Sequence, residues 1–235
     1  MNIALVTASG VGSRMHQDIP KQFTCVNDKP IIIYTLENFQ KNPLINEIII
    51  ACLPGWESML EAYALQYNIS KLKTIVPGGR TGQESIFNCI TKIKEMYPDQ
   101  NPLVVVHDGV RAICPQDVIV DSIAVAKKYG NAVAIEPCNE AMLLVDDPEQ
   151  RWSEKQFPRD LVKKTQTPHS FYLEDILKLH KLAEEKGINA SVATCTLAIE
   201  FGQKIYFSKG SPKNFKITTA DDLDIFKALI RLGNQ

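Results

Sequence analysis

Glycines and cations follow closely on the first apolar run of the chain. Gly10 and Gly12 come directly after this run, and Arg14 stands two residues further on. Lys21 follows Pro20, which restricts the backbone beside it. Glycines allow backbone N–H groups to approach phosphate oxygens, while Arg14 offers a planar fork of donors and Lys21 a point charge. The pattern therefore predicts a phosphate-binding loop or, as the plainer alternative, a tight turn.

The loop fits neither of two common phosphate motifs. In the dinucleotide fingerprint G-x-G-x-x-G the third glycine would stand at Met15, and no acidic residue closes a second strand about twenty residues later. The G-x-x-x-x-G-K-[ST] loop of nucleoside triphosphatases is also absent. The cations instead suit transfer of a nucleotidyl group, in which charge accumulates on the α-phosphate and on departing pyrophosphate.

The segment VVVHDGVRA places a carboxylate, Asp108, at the end of an apolar run. If that run is a buried strand, Asp108 lies at the carboxyl edge of the sheet, where open α/β sheets bind ligands. Mg²⁺ prefers carboxylate, water and phosphate oxygens, so Asp108 could hold this ion. A turn residue or a helix cap is the alternative that the segment alone leaves open.

Two more segments carry candidate binding residues. PGGRTGQES, residues 77–85, is a second glycine-rich loop at a strand end, and we expect Ser85 to open the helix that follows. Backbone groups in such a loop could read the edge of a base. Lys216 in NFKITT is either a ligand of a phosphate or an ordinary solvated lysine.

Short apolar runs alternate with amphipathic segments over the first half of the chain. The predicted strands cover residues 2–7, 46–52, 73–76, 102–107 and 131–136. The predicted helices cover residues 30–40, 55–67, 83–96 and 115–128. Continuous apolar strands are typical of a sheet buried on both faces, and the alternation predicts a doubly wound, mostly parallel α/β sheet flanked by helices.

The alternation breaks after this point. Residues 137–171 carry prolines and mixed charge without a helical period, which predicts extended segments or a hairpin reaching away from the body. No linker or internal repeat divides the chain, so we expect one domain over residues 1–235 with an arm at about 137–171.

Regular structure is predicted to return towards the end of the chain. A helix over residues 172–187 carries an apolar stripe, on which we expect His180 to lie at the helix surface or the core edge and not to bind a ligand. A last strand over residues 204–207 precedes a helix, for which Thr219 and Asp222 have the spacing of a capping box.

The length, composition and net charge are those of an ordinary globular protein. Its 235 residues are 45% hydrophobic and 23% charged, and a net charge of −1 gives no global attraction to nucleic acid or anionic membranes. No apolar run approaches the roughly 20 residues that cross a bilayer, and the start lacks the charged region of a signal peptide. The six cysteines are widely spaced with no C-x-x-C pair, which predicts reduced thiols in a cytoplasmic protein.

Taken in order, these segments resemble the cytidylyltransferases that make CDP-linked polyols from ribitol 5-phosphate or 2-C-methyl-D-erythritol 4-phosphate. The family pattern is a glycine loop ending in R-M, then P-K-Q-[FY], G-G, H-D-x-x-R, T-P-Q-x-F and N-[IF]-K-[IV]-T. The corresponding residues here are 10–15, 20–23, 78–79, 107–111, 167–171 and 214–218. The resemblance covers nearly the whole chain and implies a Rossmann-like nucleotidyltransferase fold with an extended dimerisation arm.

The resemblance also implies roles for individual residues. The residues implied at the nucleotide, CTP, are Ala8, Ser9, Gly10, Gly12, Gly78, Gly79, Ser85 and Asp108. Those implied in catalysis, because they would stabilise charge on the phosphates, are Arg14, Lys21 and Lys216. Arg111 and Arg159 would bind the polyol phosphate, with Arg159 reaching the partner's site in a homodimer formed through residues 137–171. Asp108 would hold Mg²⁺ as the cofactor.

The chain departs from the family pattern mainly on the acceptor side. His169 stands for the glutamine of T-P-Q, Ala193-Thr194 for a common T-D pair, and Lys213 for an aspartate frequent in the erythritol branch. P-K-Q-F and the segment around Trp56 are closer to the ribitol branch. We therefore expect D-ribitol 5-phosphate as the acceptor, for a teichoic-acid or capsule precursor. The alternatives are 2-C-methyl-D-erythritol 4-phosphate, for isoprenoids, and a CTP-binding subunit without acceptor chemistry.

Overall fold

The computed structural model describes residues 1–10 and 19–233 of the chain. The strands are β1 (Asn2–Ala8), β2 (Cys25–Val26), β3 (Lys29–Pro30), β4 (Glu47–Cys52), β5 (Leu72–Pro77), β6 (Leu103–Asp108), β7 (Asn131–Pro137), β8 (Met142–Leu144), β9 (Lys155–Phe157), β10 (Lys163–Tyr172) and β11 (Phe207–Lys209). The helices are α1 (Ile31–Lys41), α2 (Glu57–Gln66), α3 (Gly82–Met96), α4 (Gln116–Tyr129), α5 (Leu173–Glu185), α6 (Thr194–Glu200) and α7 (Ala220–Gly233). Short 3₁₀ turns cover Lys21–Phe23 and Arg159–Leu161.

A seven-stranded sheet forms the centre of the molecule, in the order β11-β7-β10-β6-β1-β4-β5. β1 pairs in parallel with β4 and β6, and β4 pairs in parallel with β5, so these strands end at one edge. β10 runs antiparallel between β6 and β7. The hairpins β2–β3 and β8–β9 stand apart from the sheet. The predicted mostly parallel α/β sheet is therefore confirmed, with β10 as the reversed strand.

Helices cover both faces of this sheet. On β1, Ala4 and Val6 pack with residues of α1, α2 and α4, whereas Ile3 and Leu5 pack with residues of α3, α5 and α6. All four side chains are fully buried. Because alternate residues of a strand point to opposite faces, a strand that is buried on both sides reads as an unbroken apolar run. A third apolar cluster, around Phe226, holds α7 against the body.

The strands and helices predicted for the first half of the chain are confirmed, with ends that agree within two residues. The capping box at α7 also forms, since Thr219 N donates to Asp222 Oδ2 (2.8 Å) and Asp222 N donates to Thr219 Oγ1 (3.2 Å). The six cysteines are free. Over residues 1–10 and 19–233, no helix combines the length and apolarity needed to cross a membrane.

The arm predicted over residues 137–171 is shorter than expected, because its last part is β10 within the sheet. This strand escapes prediction because most of the side chains that it buries are polar. Gln166, His169 and Ser170 are all buried, and the Ser170 hydroxyl lies 2.8 Å from that of Ser122. Paired polar groups can be buried, but they leave no apolar run in the sequence. Within residues 137–171, only the stretch between β7 and β10, which contains the β8–β9 hairpin, leaves the sheet.

Three further boundaries differ from the prediction. The last strand, β11, covers Phe207–Lys209 and not residues 204–207, and the short helix α6 has no counterpart among the predicted elements. Ser85 does not open α3, because that helix begins one turn earlier. Its N-cap is Thr81, whose hydroxyl accepts a hydrogen bond from Glu84 N (3.1 Å).

The three described histidines lead to a prediction about stability. Burial lowers the pKa of His107, His169 and His180 from 6.5 to about 4. The unfolded chain therefore takes up protons near pH 6.5, whereas the folded chain does so only near pH 4. The free energy of unfolding should fall as the pH is lowered through this interval, since each unit of pKa shift is worth about 1.4 kcal/mol. Urea unfolding followed by circular dichroism at pH 7 and pH 5 measures the change.

A matched variant identifies the source of this pH dependence. His180→Phe removes one titrating ring but keeps an aromatic group against Phe87, on which His180 stacks. Most carboxyl groups titrate below pH 5, so the slope between pH 7 and pH 5 should be smaller in the variant. Equal stability of the parent protein at pH 7 and pH 5 would contradict the prediction.

Candidate active site

A cleft opens at the carboxyl edge of the sheet, where β1, β5 and β6 end. We call it the glycine-loop cleft, because both glycine-rich loops contribute to its wall. The predicted site residues that line it are Ala8, Ser9, Gly10, Lys21, Gly79, Asp108 and Lys216. The fold therefore brings together residues from five separate motifs of the sequence.

The side-chain amide of Gln22 holds the first loop in place. Gln22 is buried, and its Nε2 donates to the carbonyl oxygens of Ala8 (2.9 Å) and Gly10 (3.0 Å). The next side chain, Phe23, is also buried and stacks on Trp56, with 4.7 Å between ring centroids. Because these contacts fix the other two residues of the turn that begins with Lys21, they couple the position of this cation to that of the loop.

Ser85 joins the two glycine-rich loops from behind. Its hydroxyl donates to Thr81 O (2.8 Å) and, having a single proton, must accept from Ser9 Oγ (2.7 Å) and from Gly79 N (3.0 Å). Gly78 lies so close to this junction that a Cβ at its position would stand 2.1 Å from the Cβ of Ser9. The Ser85 hydroxyl is therefore committed within the protein, and Gly78 leaves the space that the junction needs.

Asp108 lies between two cations at the end of β6, the central strand. Its Oδ2 accepts from Arg111 Nε (2.9 Å), and its Oδ1 accepts from Lys216 Nζ (3.0 Å). Burial by itself raises the pKa of this carboxyl, but Lys216 and Arg111 together outweigh burial and hold the pKa well below its usual range. Asp108 is therefore ionised at neutral pH and orients both cations, rather than exchanging protons.

Neutral polar groups fix the position of this ion pair through hydrogen bonds. Thr167 Oγ1 accepts from Asp108 N (3.1 Å) and lies 3.0 Å from His107 Nδ1. Arg111 Nη1 donates to Asn214 O (2.6 Å), and Asn214 Nδ2 donates to Thr167 O (2.6 Å). The segment that carries the second cation is thereby tied to β6 and β10.

A second cavity, with a volume of about 270 Å³, adjoins the glycine-loop cleft. Thr7, Gly82, Asp108 and Lys216 line both spaces, so the ion pair forms part of their common wall. Arg111 also lines the second cavity. Two adjoining spaces with a cation between them suit a reaction that joins two anionic molecules.

Three predicted site residues within the described part of the chain line neither space, namely Gly78 and Ser85, which lie at the junction of the loops, and Arg159. Gly12 and Arg14 fall outside the described residues, and their roles stay predictions. Arg159 lies in the 3₁₀ turn after β9, where its exposed side chain donates from Nη1 to Asn139 O (3.3 Å). It is not among the described residues that line either space of its own chain.

Sequence reasoning gave no role to three residues that position the site, namely Gln22, Thr167 and Asn214. Each stands within a motif that carries the family resemblance, and this position in a motif was the one feature of the sequence that could have indicated a role at the site. Their contacts reach residues far away in the chain, so neither apolar periodicity nor local spacing predicts them. Their roles emerge only when the buried hydrogen bonds are known.

The chemistry of Asp108 fits a magnesium ion that arrives with a nucleotide. Mg²⁺ usually keeps several waters and takes one or two carboxylates together with phosphate oxygens. Asp108 supplies one ionised carboxylate at the cleft. Across residues 1–10 and 19–233, no group of three or more His, Cys, Asp or Glu side chains could hold a metal. Phosphate oxygens of the nucleotide and water would therefore have to supply most of the ligands of Mg²⁺.

Solved structures of α/β nucleotidyltransferases share the fold of this chain, an open sheet with ligand spaces at its carboxyl edge. The crystal structure of 2-C-methyl-D-erythritol 4-phosphate cytidylyltransferase from Francisella tularensis aligns with a TM-score of 0.79 and 26% identity, over 97% of this chain and 98% of the other. The 4-diphosphocytidyl-2C-methyl-D-erythritol synthase of Anaerococcus prevotii aligns with a TM-score of 0.82 and 22% identity, over 98% of both chains.

Sequence comparison gives the family. The model of the family described as IspD, 2-C-methyl-D-erythritol 4-phosphate cytidylyltransferase, matches residues 2–232, and the chain belongs to this family of enzymes. It is 40% identical to the ribitol-5-phosphate cytidylyltransferase of Vibrio parahaemolyticus, over 98% of this chain and 96% of the relative. It is 36% identical to the 2-C-methyl-D-erythritol 4-phosphate cytidylyltransferase of Clostridium acetobutylicum, over 98% of each. The predicted resemblance and the predicted cytidylyltransferase activity are thus confirmed.

The contacts of Gln22 lead to a prediction for the nucleotide. Gln22→Met keeps the length of the side chain but leaves the carbonyls of Ala8 and Gly10 without their donor. The KM for CTP should rise about tenfold, because a buried group that loses its partner costs about 1–3 kcal/mol. Steady-state kinetics with varied CTP measure the effect, and Gln66→Met, on the exposed face of α2, is the matched control. An unchanged KM for CTP in Gln22→Met would show that the amide does not shape the cleft.

Proposed function

We propose that this protein transfers CMP from CTP to D-ribitol 5-phosphate, with release of pyrophosphate and formation of CDP-ribitol. The observation that carries the proposal is the wall shared by the glycine-loop cleft and the second cavity, which contains Asp108 and Lys216. A cation between two adjoining spaces suits a reaction in which one phosphate attacks another. Relatives named ribitol-5-phosphate cytidylyltransferase, at 36–40% identity over nearly the whole chain, support the choice of acceptor.

In this reaction an oxygen of the acceptor phosphate attacks the α-phosphorus of CTP. A new P–O bond forms as the bond between the α-phosphorus and the oxygen of the departing pyrophosphate breaks. No general base is required, because a phosphate monoester with a second pKa near 6 is already ionised at neutral pH. The protein therefore has to position two anions and to compensate their charge.

Each cation has its own part in this compensation. Lys21, in the glycine-loop cleft, stabilises the charge that builds up on the departing pyrophosphate, together with Arg14. Lys216, on the shared wall, stabilises the charge between the α-phosphorus and the attacking oxygen. Arg111 lines the second cavity and binds the acceptor phosphate. Asp108 keeps Lys216 and Arg111 oriented. It would also hold Mg²⁺, which neutralises charge on the phosphates when it is bound.

The glycine-rich loops bind the rest of the nucleotide. Backbone N–H groups of Ala8, Ser9 and Gly10 contact the triphosphate, and Gly79 lies at the cytosine with the loop that follows it. Gly78 and Ser85 act at the same place indirectly, because they set the shape of this loop.

A second copy of the chain completes the acceptor site in this proposal. The β8–β9 arm exposes large apolar side chains, among them Leu143, Trp152 and Leu161, which are between 64% and 75% exposed. Exposed apolar side chains that cluster on one projecting element favour a protein interface. We propose a homodimer through residues 137–171, in which Arg159 contacts the acceptor phosphate in the partner's site. The protein would act in the cytoplasm, where CTP is made.

The second candidate acceptor is 2-C-methyl-D-erythritol 4-phosphate. The relative from Clostridium acetobutylicum, whose name carries this acceptor, is 36% identical. Several relatives named ribitol-5-phosphate cytidylyltransferase have the same identity of 36%. Sequence identity favours ribitol 5-phosphate only because the Vibrio parahaemolyticus enzyme is 40% identical. Kinetics with both acceptors decides between them.

The assay that tests the proposal measures pyrophosphate release from CTP and Mg²⁺ with each acceptor. We expect a kcat/KM for ribitol 5-phosphate at least about tenfold above that for 2-C-methyl-D-erythritol 4-phosphate, a difference within reach of a few acceptor contacts. A higher value with the methylated acceptor would select the alternative function. Binding of CTP without turnover of either acceptor would reject both enzyme assignments.

Mixing of two inactive variants tests the contribution of the arm. Arg159→Ala and Lys216→Ala should each lower turnover about 100-fold, the usual effect of losing one charge-stabilising group. In a mixed dimer, one site then lacks both side chains while the other has both. Co-refolded or co-expressed variants should therefore regain about a quarter of the parent activity, as expected for random pairing in a two-fold dimer. No recovery, with dimers present by light scattering, would contradict the exchange of Arg159 between subunits.

A further inference from the structure

The second cavity has a part that it does not share with the glycine-loop cleft. We call this part the unshared wall and define it by Ile86, Val106, His169, His180, Thr194 and Leu197. These residues come from α3, β6, β10, α5 and α6, so the wall is formed by the body of the protein rather than by the arm. Its composition is apolar and neutral polar, in contrast to the charged pair Asp108 and Lys216 of the shared wall.

Two polar atoms of this wall have no hydrogen-bond partner among the described residues. They are His180 Nε2 and Thr194 Oγ1, on side chains that are only 4% and 3% exposed. A buried polar atom without a partner is unfavourable, and native proteins rarely leave one unpaired unless water or a ligand completes it. Two such atoms on one cavity wall therefore point to a molecule that the cavity is built to hold.

Thr194 is not needed for the local structure of its helix. The N-terminus of α6 is capped by Thr196, whose Oγ1 accepts from Ala193 N (3.1 Å) and lies 2.9 Å from Ser191 Oγ. Thr194 is the first residue of the helix and its hydroxyl takes no part in this network. The hydroxyl is therefore spare, although it is almost fully buried.

His180 is fixed in place and uncharged. Its ring is parallel to that of Phe87, with an interplanar angle of 4° and 5.8 Å between centroids. Burial lowers the pKa of His180 to about 4, so the ring is neutral at physiological pH. A neutral imidazole and a hydroxyl are suitable partners for an uncharged hydroxyl group, which can both donate and accept.

We propose that His180 and Thr194 bind the terminal hydroxyl of the acceptor, at the end of the chain that is farthest from its phosphate. The phosphate lies at Lys216 and Arg111, and the polyol chain extends along the cavity towards the unshared wall. A volume of about 270 Å³ suits a molecule of this size. This inference rests on the proposed function and makes these two side chains determinants that select an acceptor with a terminal hydroxyl.

An acceptor without the terminal hydroxyl tests the contact directly. The parent enzyme should use ribitol 5-phosphate with a kcat/KM about tenfold above that for 1-deoxyribitol 5-phosphate, because the deoxy compound leaves two buried groups unpaired. In Thr194→Val, which removes only the hydroxyl, this ratio should fall at least threefold. Thr194→Ser should restore the ratio, and the KM for CTP should stay unchanged in both.

Further variants separate recognition from a general loss of structure. His180→Phe, which keeps the ring against Phe87, should lower the same ratio. Thr91→Val, on the exposed side of α3, is the matched control and should leave the ratio as in the parent protein. Equal use of both acceptors by the parent protein would overturn the inference and would mean that the two buried atoms bind ordered water only.

The same experiment distinguishes this inference from the proposed function. If the parent enzyme turns over ribitol 5-phosphate but Thr194→Val and His180→Phe keep the parent ratio, only the inference is wrong. If the parent enzyme does not turn over ribitol 5-phosphate at all, the proposed function fails and the inference fails with it.

Discussion

The ionised carboxylate of Asp108 is the interaction on which the site depends. A charge that is largely removed from water is costly unless it is paired and hydrogen-bonded, and here each carboxylate oxygen accepts a hydrogen bond from one cation. One of them, Arg111, comes from the same turn, whereas Lys216 comes from a segment near the end of the chain. The carboxylate therefore fixes a distant lysine at the carboxyl edge of the central strand, between the two spaces. Loss of either cation would leave Asp108 less compensated and would move the other.

The groups behind this ion pair hold it without adding charge. His107 is buried, and burial lowers its pKa to about 4, so that it bonds to Thr167 as a neutral ring. Asn214 connects the arginine to the same threonine through its amide and its carbonyl. No member of this frame titrates near pH 7, and the positions of the cations are therefore insensitive to pH in the physiological range. A rigid, neutral frame of this kind preorganises charge for a reaction between anions.

The sequence predicted the apolar part of the fold because apolar strands and amphipathic helices carry their burial in their periodicity. It predicted the cations and Asp108 because they stand in the ordered motifs that carry the family resemblance. It failed at β10, where buried side chains such as Gln166 and Ser170 are polar, and at the short helix α6. Gln22 was missed for the same reason, since the partners of a buried amide lie far away in the chain. A contact that depends on folding leaves no local pattern, whereas a strand or a helix does.

The shared wall has a consequence for how the two substrates influence each other. In the proposed reaction both substrates carry negative charge, and both would be compensated in part by the ammonium group of Lys216, which lines both spaces. Their binding free energies are therefore coupled, and thermodynamic linkage requires the coupling to be the same in both directions. Each anion would screen the lysine from the other and would also repel the other, so the sign of the coupling would report how completely Lys216 and Arg111 offset that repulsion. Measured affinities for either substrate alone consequently describe only half of the site.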